Sequence, residues 1–326
     1  MTTEIQHLNI GDYAEVMCAP HRMDVMVSAM TKCGQWHCNQ KCVHCYAAGQ
    51  VHSDEEELQT EDWKRILDKC REVGIPQITF TGGEPTMRED LFDLISYARW
   101  FVTRLNTNGI KLTPEYCREL KKAEVDSIQI TFYSADPAVH NALVGVEQFE
   151  KTAAGIENAL EAGLMISINT PLCTLNRDYV KTLRYLHEKG VGYVTCSGMI
   201  TTGNALGEDS QNLQLTGEEL EEVLREAVKY CHENGMEIAF TSPGWIDDEV
   251  FRELNIPAPS CGAGLSNMAI TPGGNVVPCQ SWLSDEALGN MLTDSWGDIW
   301  NSEACRVRRN YSAALTGKCP LKGECR

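Results

Sequence analysis

Three cysteines near the N-terminus have the spacing of a metal-binding loop. Cys38, Cys42 and Cys45 form a C-x3-C-x2-C pattern, and His44 and Tyr46 flank the last of them. Three thiolates on so short a loop can hold three irons of a [4Fe–4S] cluster and leave the fourth iron without a protein ligand. An open metal position is where chemistry takes place, as in catalytic zinc sites. C-x-x-C pairs also occur in zinc sites and redox pairs, so these cysteines alone leave both alternatives open.

A second pattern, Gly82-Gly83-Glu84-Pro85, directly follows a predicted strand at Gln77–Thr81. Glycines at the end of a strand let the backbone approach a ligand closely. In parallel α/β folds, ligands collect at the C-terminal ends of the strands, which is where this segment lies. A Gly-Gly pair alone most often marks a turn, so the pattern gains meaning only together with the cysteines.

Together, the two patterns resemble the radical S-adenosylmethionine (radical SAM) superfamily. The resemblance implies that the open iron at Cys38, Cys42 and Cys45 chelates SAM and that reductive cleavage of SAM gives a 5′-deoxyadenosyl radical. It also implies that the Gly82–Pro85 segment contacts the methionyl amine. Further positions match the family's SAM contacts: Asn108 in a T-N-G turn, Ser134, Asn169, and His44 and Tyr46 against the adenine. Turn capping is the alternative for Ser134 and Asn169, and packing on the barrel is the alternative for His44 and Tyr46.

A third pattern lies near the C-terminus. Cys261 and Cys279 enclose Gly274, and Cys319 and Cys325 follow. This order resembles a truncated form of the SPASM and Twitch auxiliary-cluster modules. The resemblance implies that Cys261, Cys279, Cys319 and Cys325 hold one closed auxiliary [4Fe–4S] cluster. A structural zinc site made of the same four cysteines is the alternative.

Three further cysteines are candidates for special roles. Cys305 is a spare that could replace one of the four auxiliary ligands. Cys173 and Cys196 lie near the ends of predicted strands, and such positions can face the active site of a barrel. They are candidate hydrogen-atom donors to a substrate radical. The alternative is that both pack as small hydrophobic residues.

Strands and helices alternate from about residue 23 to residue 239. The predicted strands are Asp24–Met30, Gln77–Thr81, Val102–Asn106, Ser127–Tyr133, Leu164–Asn169 and Tyr193–Ser197. The predicted helices are Thr60–Val73, Glu89–Trp100, Thr113–Ala123, Phe149–Ala162, Arg177–Lys189 and Thr216–Asn234. This alternation predicts an α/β fold with a parallel sheet and right-handed crossovers. The resemblance implies a partial (β/α)6 barrel, although a doubly wound open sheet has the same alternation.

The chain divides by pattern into three parts. Residues 1–23 form an N-terminal extension, residues 24–240 the radical SAM partial barrel, and residues 241–326 a small cluster-binding SPASM/Twitch-like module. Proline and glycine interrupt regular structure in the last part. Within it, Met268–Ile270 and Asn275–Val277 predict a small hairpin.

Composition excludes several function classes. Asp and Glu total 46 against 28 Lys and Arg, a formal net charge of −18. This balance offers no basic surface for nucleic acid or an anionic membrane. There is also no apolar run long enough to span a bilayer. Fifteen cysteines without a visible secretory signal indicate a cytoplasmic protein that uses thiols for metal binding or catalysis.

The resemblance implies a radical SAM enzyme, and the usual substrates of relatives with an auxiliary-cluster module imply that it oxidatively modifies a ribosomally made peptide by a cross-link or a dehydrogenation. About 23 residues precede the first predicted strand, too few for a fused leader-binding domain, so we expect a separate leader-binding protein, a leaderless peptide or a small molecule. A flavodoxin or ferredoxin is the expected electron donor. A small-molecule dehydrogenase or carbon-skeleton enzyme and a peptide epimerase are the enzymatic alternatives. A metal-binding scaffold is the non-enzymatic one.

Overall fold

The computed structural model describes residues 16–207, 210, 212–314 and 318–321. Its strands are β1 (Arg22–Ser28), β2 (Thr31–Lys32), β3 (Gln35–Trp36), β4 (Gln77–Gly82), β5 (Val102–Thr107), β6 (Ser127–Thr131), β7 (Ile166–Pro171), β8 (Tyr193–Ser197), β9 (Glu237–Phe240), β10 (Asn267–Ile270), β11 (Asn275–Val277) and β12 (Gly289–Asn290). Its α-helices are α1 (Thr60–Glu72), α2 (Leu91–Tyr97), α3 (Pro114–Lys122), α4 (Pro137–Val144), α5 (Phe149–Glu161), α6 (Tyr179–Glu188), α7 (Gly217–Glu233), α8 (Asp248–Glu253), α9 (Trp296–Asn301) and α10 (Glu303–Ala314). Every strand and helix predicted for the barrel is therefore present, with small shifts at the ends.

The order of the strands distinguishes a barrel from a doubly wound sheet. Starting at β1, the parallel strands pair in chain order through β4, β5, β6, β7, β8 and β9. A doubly wound sheet reverses its strand order and carries helices on both faces. Right-handed crossovers between strands taken in sequence place every crossover helix on the same face. The partial barrel is confirmed, and it includes β9, a parallel strand beyond those predicted.

The two faces of the barrel sheet differ in polarity because successive residues of a strand point to opposite sides. The helix-facing side chains are apolar and fully buried: Val25, Ile78, Phe80, Leu105, Ile128, Ile130, Ile168 and Val194. The residues that alternate with them are mostly polar: Thr79, Thr81, Asn106, Gln129, Thr131, Asn169 and Thr195. The barrel thus keeps a polar interior for a site while its core lies between the strands and the helices.

The predicted C-terminal hairpin is confirmed and is continuous with the barrel. Ala269 of β10 pairs with Val277 of β11 in an antiparallel arrangement. On its other side, β10 pairs in parallel with β1, from Arg22 opposite Asn267 onwards. The described part of the cysteine-bearing C-terminal region therefore extends the barrel sheet, and the domain boundary at residue 240 remains a prediction.

Gly155 lies where α5 crosses the turn that follows β5. A Cβ atom at Gly155 would lie 2.2 Å from the Gly109 carbonyl oxygen. Alanine normally stabilises a helix by about 1 kcal/mol relative to glycine. Here we expect the opposite: Gly155→Ala should lower the free energy of unfolding by about 1–3 kcal/mol, because the turn must move to admit the methyl group.

Chemical denaturation of the wild type and of the Gly155→Ala variant shows whether the substitution lowers or raises the free energy of unfolding. The control is the reverse change at the exposed Ala154 on the same helix. Ala154→Gly should cost only the ordinary propensity difference of about 1 kcal/mol. A Gly155→Ala variant more stable than the wild type would contradict the close packing of α5 on this turn.

Candidate active site

A cavity of about 210 Å³ lies at the C-terminal ends of the parallel strands. The sequence-predicted residues that line it are Cys38, Cys42, His44, Cys45, Tyr46, Gly82, Gly83, Glu84, Asn108 and Asn169. They come from the cysteine loop, the segment after β4 and the ends of β5 and β7. The fold therefore brings the first two sequence patterns together around one space.

The three cysteines of the loop are half-buried, and the charge of Cys45 affects the ionisation of the other two. Burial raises the pKa of Cys38 to about 12, and the negative charges of Glu84 and Cys45 add to the effect. Burial likewise raises the pKa of Cys42, again with contributions from Cys45 and Cys38. Three such thiols ionise readily only beside positive charge, which makes them a suitable donor set for an iron–sulfur cluster.

Hydrogen bonds hold the cysteine loop against the barrel. The Asn108 Nδ2 donates to Asn39 Oδ1 at 2.6 Å, which ties the turn after β5 to the loop. The Lys41 backbone N–H donates to the carbonyl oxygen of Val144, at the end of α4, at 2.9 Å. The positions of the thiols are thus set by contacts on both sides of the loop.

Gly82 and Gly83 form a cradle that no larger residue fits. Gly82 has a φ of +145°, and a Cβ atom there would lie 2.3 Å from the Ser28 carbonyl oxygen. A Cβ atom at Gly83 would lie 2.6 Å from the Ala29 carbonyl oxygen. The close approach to the chain after β1 leaves the backbone of both glycines bordering the cavity. This is the geometry expected where a main chain contacts a ligand directly.

Glu84 is buried and accepts hydrogen bonds from two strand ends. Its Oε1 accepts from Thr107 Oγ1 at 2.6 Å and from both the backbone and the hydroxyl of Thr86. Its Oε2 accepts from the Asn108 backbone N–H at 2.8 Å. Burial raises the pKa of Glu84, and these hydrogen bonds oppose that rise. The carboxylate is therefore held rigidly at the cavity wall.

His44 pairs with Tyr133, a cavity residue that the sequence analysis did not single out. The His44 Nε2 lies 3.1 Å from the Tyr133 hydroxyl oxygen, and the rings meet edge to face. Burial lowers the pKa of His44 to about 4, so the ring is neutral at pH 7. Tyr133 is the second residue after β6. Its position at a strand end was the signal that would have identified it.

Several residues around the cavity have unpartnered polar atoms, and three of them, Gln40, Asn106 and Gln280, were not predicted. Among the described residues, Gln40 Nε2, His44 Nδ1, Asn106 Oδ1 and Gln280 Oε1 are buried without a hydrogen-bond partner, and all four residues line the cavity. Buried polar groups in folded proteins are normally satisfied. Such orphaned atoms around one space fit a polar ligand such as SAM.

Two of the predicted SAM contacts lie off the cavity lining. The Ser134 Oγ accepts a hydrogen bond from the Asp136 backbone N–H at 3.0 Å, as in a turn. Pro85 is buried as the first residue of a short 3₁₀ turn, Pro85–Met87. Ser134 therefore stabilises the turn after β6, and Pro85 begins the turn after β4.

The two candidate hydrogen-atom donors also lie off the cavity lining. Cys173 is buried behind the cavity in a small apolar cluster that includes Tyr133 and Met199. Cys196 belongs to the main core. Burial raises the pKa of Cys196, and the nearby Cys231 of α7 adds to this effect. The pleat of β8 therefore turns Cys196 toward the helices, while its neighbour Thr195 bonds to Asn169 at 2.9 Å.

Three of the predicted auxiliary ligands, Cys261, Cys279 and Cys319, are half-buried, and Gln280, the residue after Cys279, lines the cavity. Burial raises the pKa of Cys279 to about 12, and the charges of Cys319 and Cys261 add to the rise. Cys325 lies outside the described residues. Cys305 instead packs in the core of the chain, where Arg309 Nη1 donates to its Sγ at 3.5 Å.

Comparison with known proteins assigns this arrangement to a family. Residues 37–185 match the model of the radical SAM superfamily, and residues 261–326 match SPASM, an iron–sulfur cluster-binding domain. A curated relative, the AdoMet-dependent heme synthase of Nitratidesulfovibrio vulgaris, is 30% identical across 86% of this chain and 81% of its own length. The chain belongs to the radical SAM superfamily. Its radical SAM domain binds SAM and a [4Fe–4S] cluster, and its SPASM domain binds auxiliary iron–sulfur.

Further matches agree on the family and the fold. The PqqA peptide cyclase of Streptomyces rochei is 28% identical to this radical SAM chain across 83% of the chain and 78% of the relative. The crystal structure of Streptococcus suis SuiB bound to S-adenosylmethionine has a TM-score of 0.75 at 15% identity, covering 95% of this chain and 75% of SuiB. In the part of the chain that the structure describes, no helix is long and apolar enough to cross a membrane.

Proposed function

We propose that this protein oxidatively modifies a ribosomally made peptide, by forming a cross-link or by dehydrogenation. Cys38, Cys42 and Cys45 are the proposed ligands of the SAM-binding cluster, and Cys261, Cys279, Cys319 and Cys325 those of one auxiliary cluster. When bound, the cofactors supply a 5′-deoxyadenosyl radical, which removes a hydrogen atom from the substrate, and an auxiliary one-electron acceptor. The chain's own residues orient SAM and the substrate and exclude water from them.

One observation carries the oxidative part of the proposal. Tyr46 borders the cavity, and the Gln50 side-chain amide donates both to its carbonyl oxygen and to that of Ser281, two residues after Cys279. The residue after Cys279, Gln280, lines the cavity itself. An electron acceptor in that position borders the place where a substrate radical would form, and a net two-electron oxidation requires such an acceptor.

Individual residues have definite tasks in this proposal. The backbone of Gly82 and Gly83 contacts the methionyl part of SAM, and the buried carboxylate of Glu84 attracts its ammonium group. His44, neutral at pH 7, packs on the adenine together with Tyr46. Asn108 holds the cysteine loop in place while it borders the same pocket.

Two of the relatives support a peptide substrate. Besides PqqA peptide cyclase, the relatives include mycofactocin maturase MftC of Mycolicibacterium smegmatis, 27% identical over 89% of this chain and 74% of the relative. They also include heme synthases, so conversion of a tetrapyrrole is the outcome that the test must distinguish.

The test is to incubate the anaerobically reconstituted enzyme, SAM and a reduced flavodoxin or ferredoxin with each short peptide encoded beside its gene. A separate leader-binding protein from the same locus is included where one is encoded. We expect one peptide to lose the mass of two hydrogen atoms per modification, as measured by mass spectrometry. Conversion of a tetrapyrrole or another small molecule, with every peptide unchanged, would overturn the proposal. Neither Cys173 nor Cys196 lines the cavity, so the structure gives no support to the epimerase alternative.

A further inference from the structure

Gln50 makes hydrogen bonds to both cysteine-bearing parts of the chain. Its side chain is buried, and its amide nitrogen donates to two carbonyl oxygens, that of Tyr46 and, at 3.2 Å, that of Ser281. Its amide oxygen accepts from the Leu283 backbone N–H at 3.0 Å. One carboxamide therefore uses both ends to join two segments that are more than two hundred residues apart in sequence.

The segments that Gln50 joins carry the proposed ligands of different clusters. Tyr46 directly follows Cys45, and Ser281 lies two residues after Cys279. Gln280, which lies between Cys279 and Ser281 in the sequence, borders the cavity with an unpartnered Oε1. The position of the chain after Cys279, relative to the first cysteine loop, therefore depends on this amide.

Other contacts hold the C-terminal region independently of Gln50. β10 pairs with β1 along several residues. Glu55 accepts hydrogen bonds from the backbone N–H of Gly273 at 3.0 Å and from the side chain of Asn275 at 2.8 Å. The His52 backbone N–H donates to the Leu283 carbonyl oxygen at 3.1 Å. Removing the Gln50 amide should therefore loosen the segment from Cys279 to Leu283 locally, while its end at Leu283 and the hairpin stay docked.

We propose that Gln50 is a positioning residue that fixes the Cys279–Leu283 segment against the cysteine loop, and thereby sets the auxiliary cluster and Gln280 beside the cavity. This inference rests on the proposed function in one respect, namely that Cys279 is a ligand of the auxiliary cluster. Gln50 lies outside both cysteine patterns and determines how the two sites are placed relative to each other.

The test is Gln50→Met, which keeps the side-chain length and removes every hydrogen bond of the amide. It is made in full-length protein that also carries Cys38→Ala, Cys42→Ala and Cys45→Ala, so that the remaining iron reports on the auxiliary site alone. We expect the electron paramagnetic resonance signal of the reduced cluster to shift in its g values and the midpoint potential to change. Loss of the auxiliary iron would support the inference equally well, on one condition. The single Gln50→Met variant, with Cys38, Cys42 and Cys45 intact, must keep the SAM-dependent signal of the other cluster. Gln59→Met, at an exposed position without a side-chain hydrogen bond, is the control and should leave both quantities unchanged.

Two outcomes would overturn the inference, and they differ in what they say about the function. If Gln50→Met lowers the denaturation midpoint but leaves the auxiliary signal and potential as they were, Gln50 only stabilises the fold and the proposed function stands. If the background protein holds no iron whatever residue occupies position 50, the auxiliary cluster itself is absent. The oxidative part of the proposed function then fails together with the inference.

Discussion

Replacing Glu84 by glutamine is expected to weaken SAM binding about tenfold to a hundredfold, the effect of losing a charge-assisted hydrogen bond. The carboxylate borders the cavity, and four donor groups fix it in place. Glutamine removes the negative charge that the ammonium group of SAM would meet. The NH₂ group of the glutamine side chain also faces a hydrogen-bond donor. That donor is either the Asn108 backbone N–H or the hydroxyls of Thr86 and Thr107. The lost charge and the mismatched amide both reduce the affinity for SAM.

The dissociation constant of SAM for the reconstituted protein is the quantity to measure. Glu89→Gln is a matched control, because Glu89 is exposed and lies only five residues further along the chain. The control should bind SAM like the wild type. Wild-type SAM affinity in Glu84→Gln would show that the carboxylate serves only the turns after β4 and β5.

Replacing Cys279 by alanine is expected to remove the auxiliary iron, about four irons per chain, and leave SAM cleavage intact. Cys279 is a half-buried cysteine whose pKa is raised by burial and by the charges of Cys319 and Cys261, so its loss removes one of the four proposed ligands of the auxiliary site. Release of 5′-deoxyadenosine depends on the other cluster and should continue. Conversion of the peptide should stop, because the substrate radical then has no auxiliary acceptor.

Cys305→Ala is the control for this change, and it also tests the spare ligand considered in the sequence analysis. Cys305 lies on α10, packed in the core beside Arg309. Its replacement should keep the full iron content and cost only packing energy. Wild-type iron in Cys279→Ala, or iron loss in Cys305→Ala, would mean that a different set of thiols holds the auxiliary site.

Local sequence predicted the barrel well because its strands and helices carry their own periodicity. In β4, for example, Ile78 and Phe80 face the helices while Thr79 and Thr81 face the interior, and this alternation is visible in the sequence. The turn that carries Gly82 and Gly83 was likewise recognisable, because both residues must be glycine where the backbone passes so close to β1.

Long-range features of the site were not predictable in this way. The parallel pairing of β10 with β1 joins segments with no local signal in common. The same pairing brings Gln280 to the cavity wall and Gln50 to the chain after Cys279. The position of Cys196, in contrast, was predictable. It is the neighbour of Thr195 in β8, and successive residues of a strand face opposite sides, so the sequence alone would have placed Cys196 on the core side.

The two proposed clusters are tested most directly by the iron and sulfide content of anaerobically prepared wild-type protein and of a variant in which Cys38, Cys42 and Cys45 are all alanine. Release of 5′-deoxyadenosine from SAM is measured on the same samples, and Cys18→Ala, at an exposed cysteine, is the control. We expect about eight irons in the wild type, about four in the triple variant, and cleavage of SAM only where the three cysteines are intact. Undiminished SAM cleavage in the triple variant would contradict the assignment of the radical chemistry to this loop. Four irons in the wild type and none in the variant would instead contradict the auxiliary cluster.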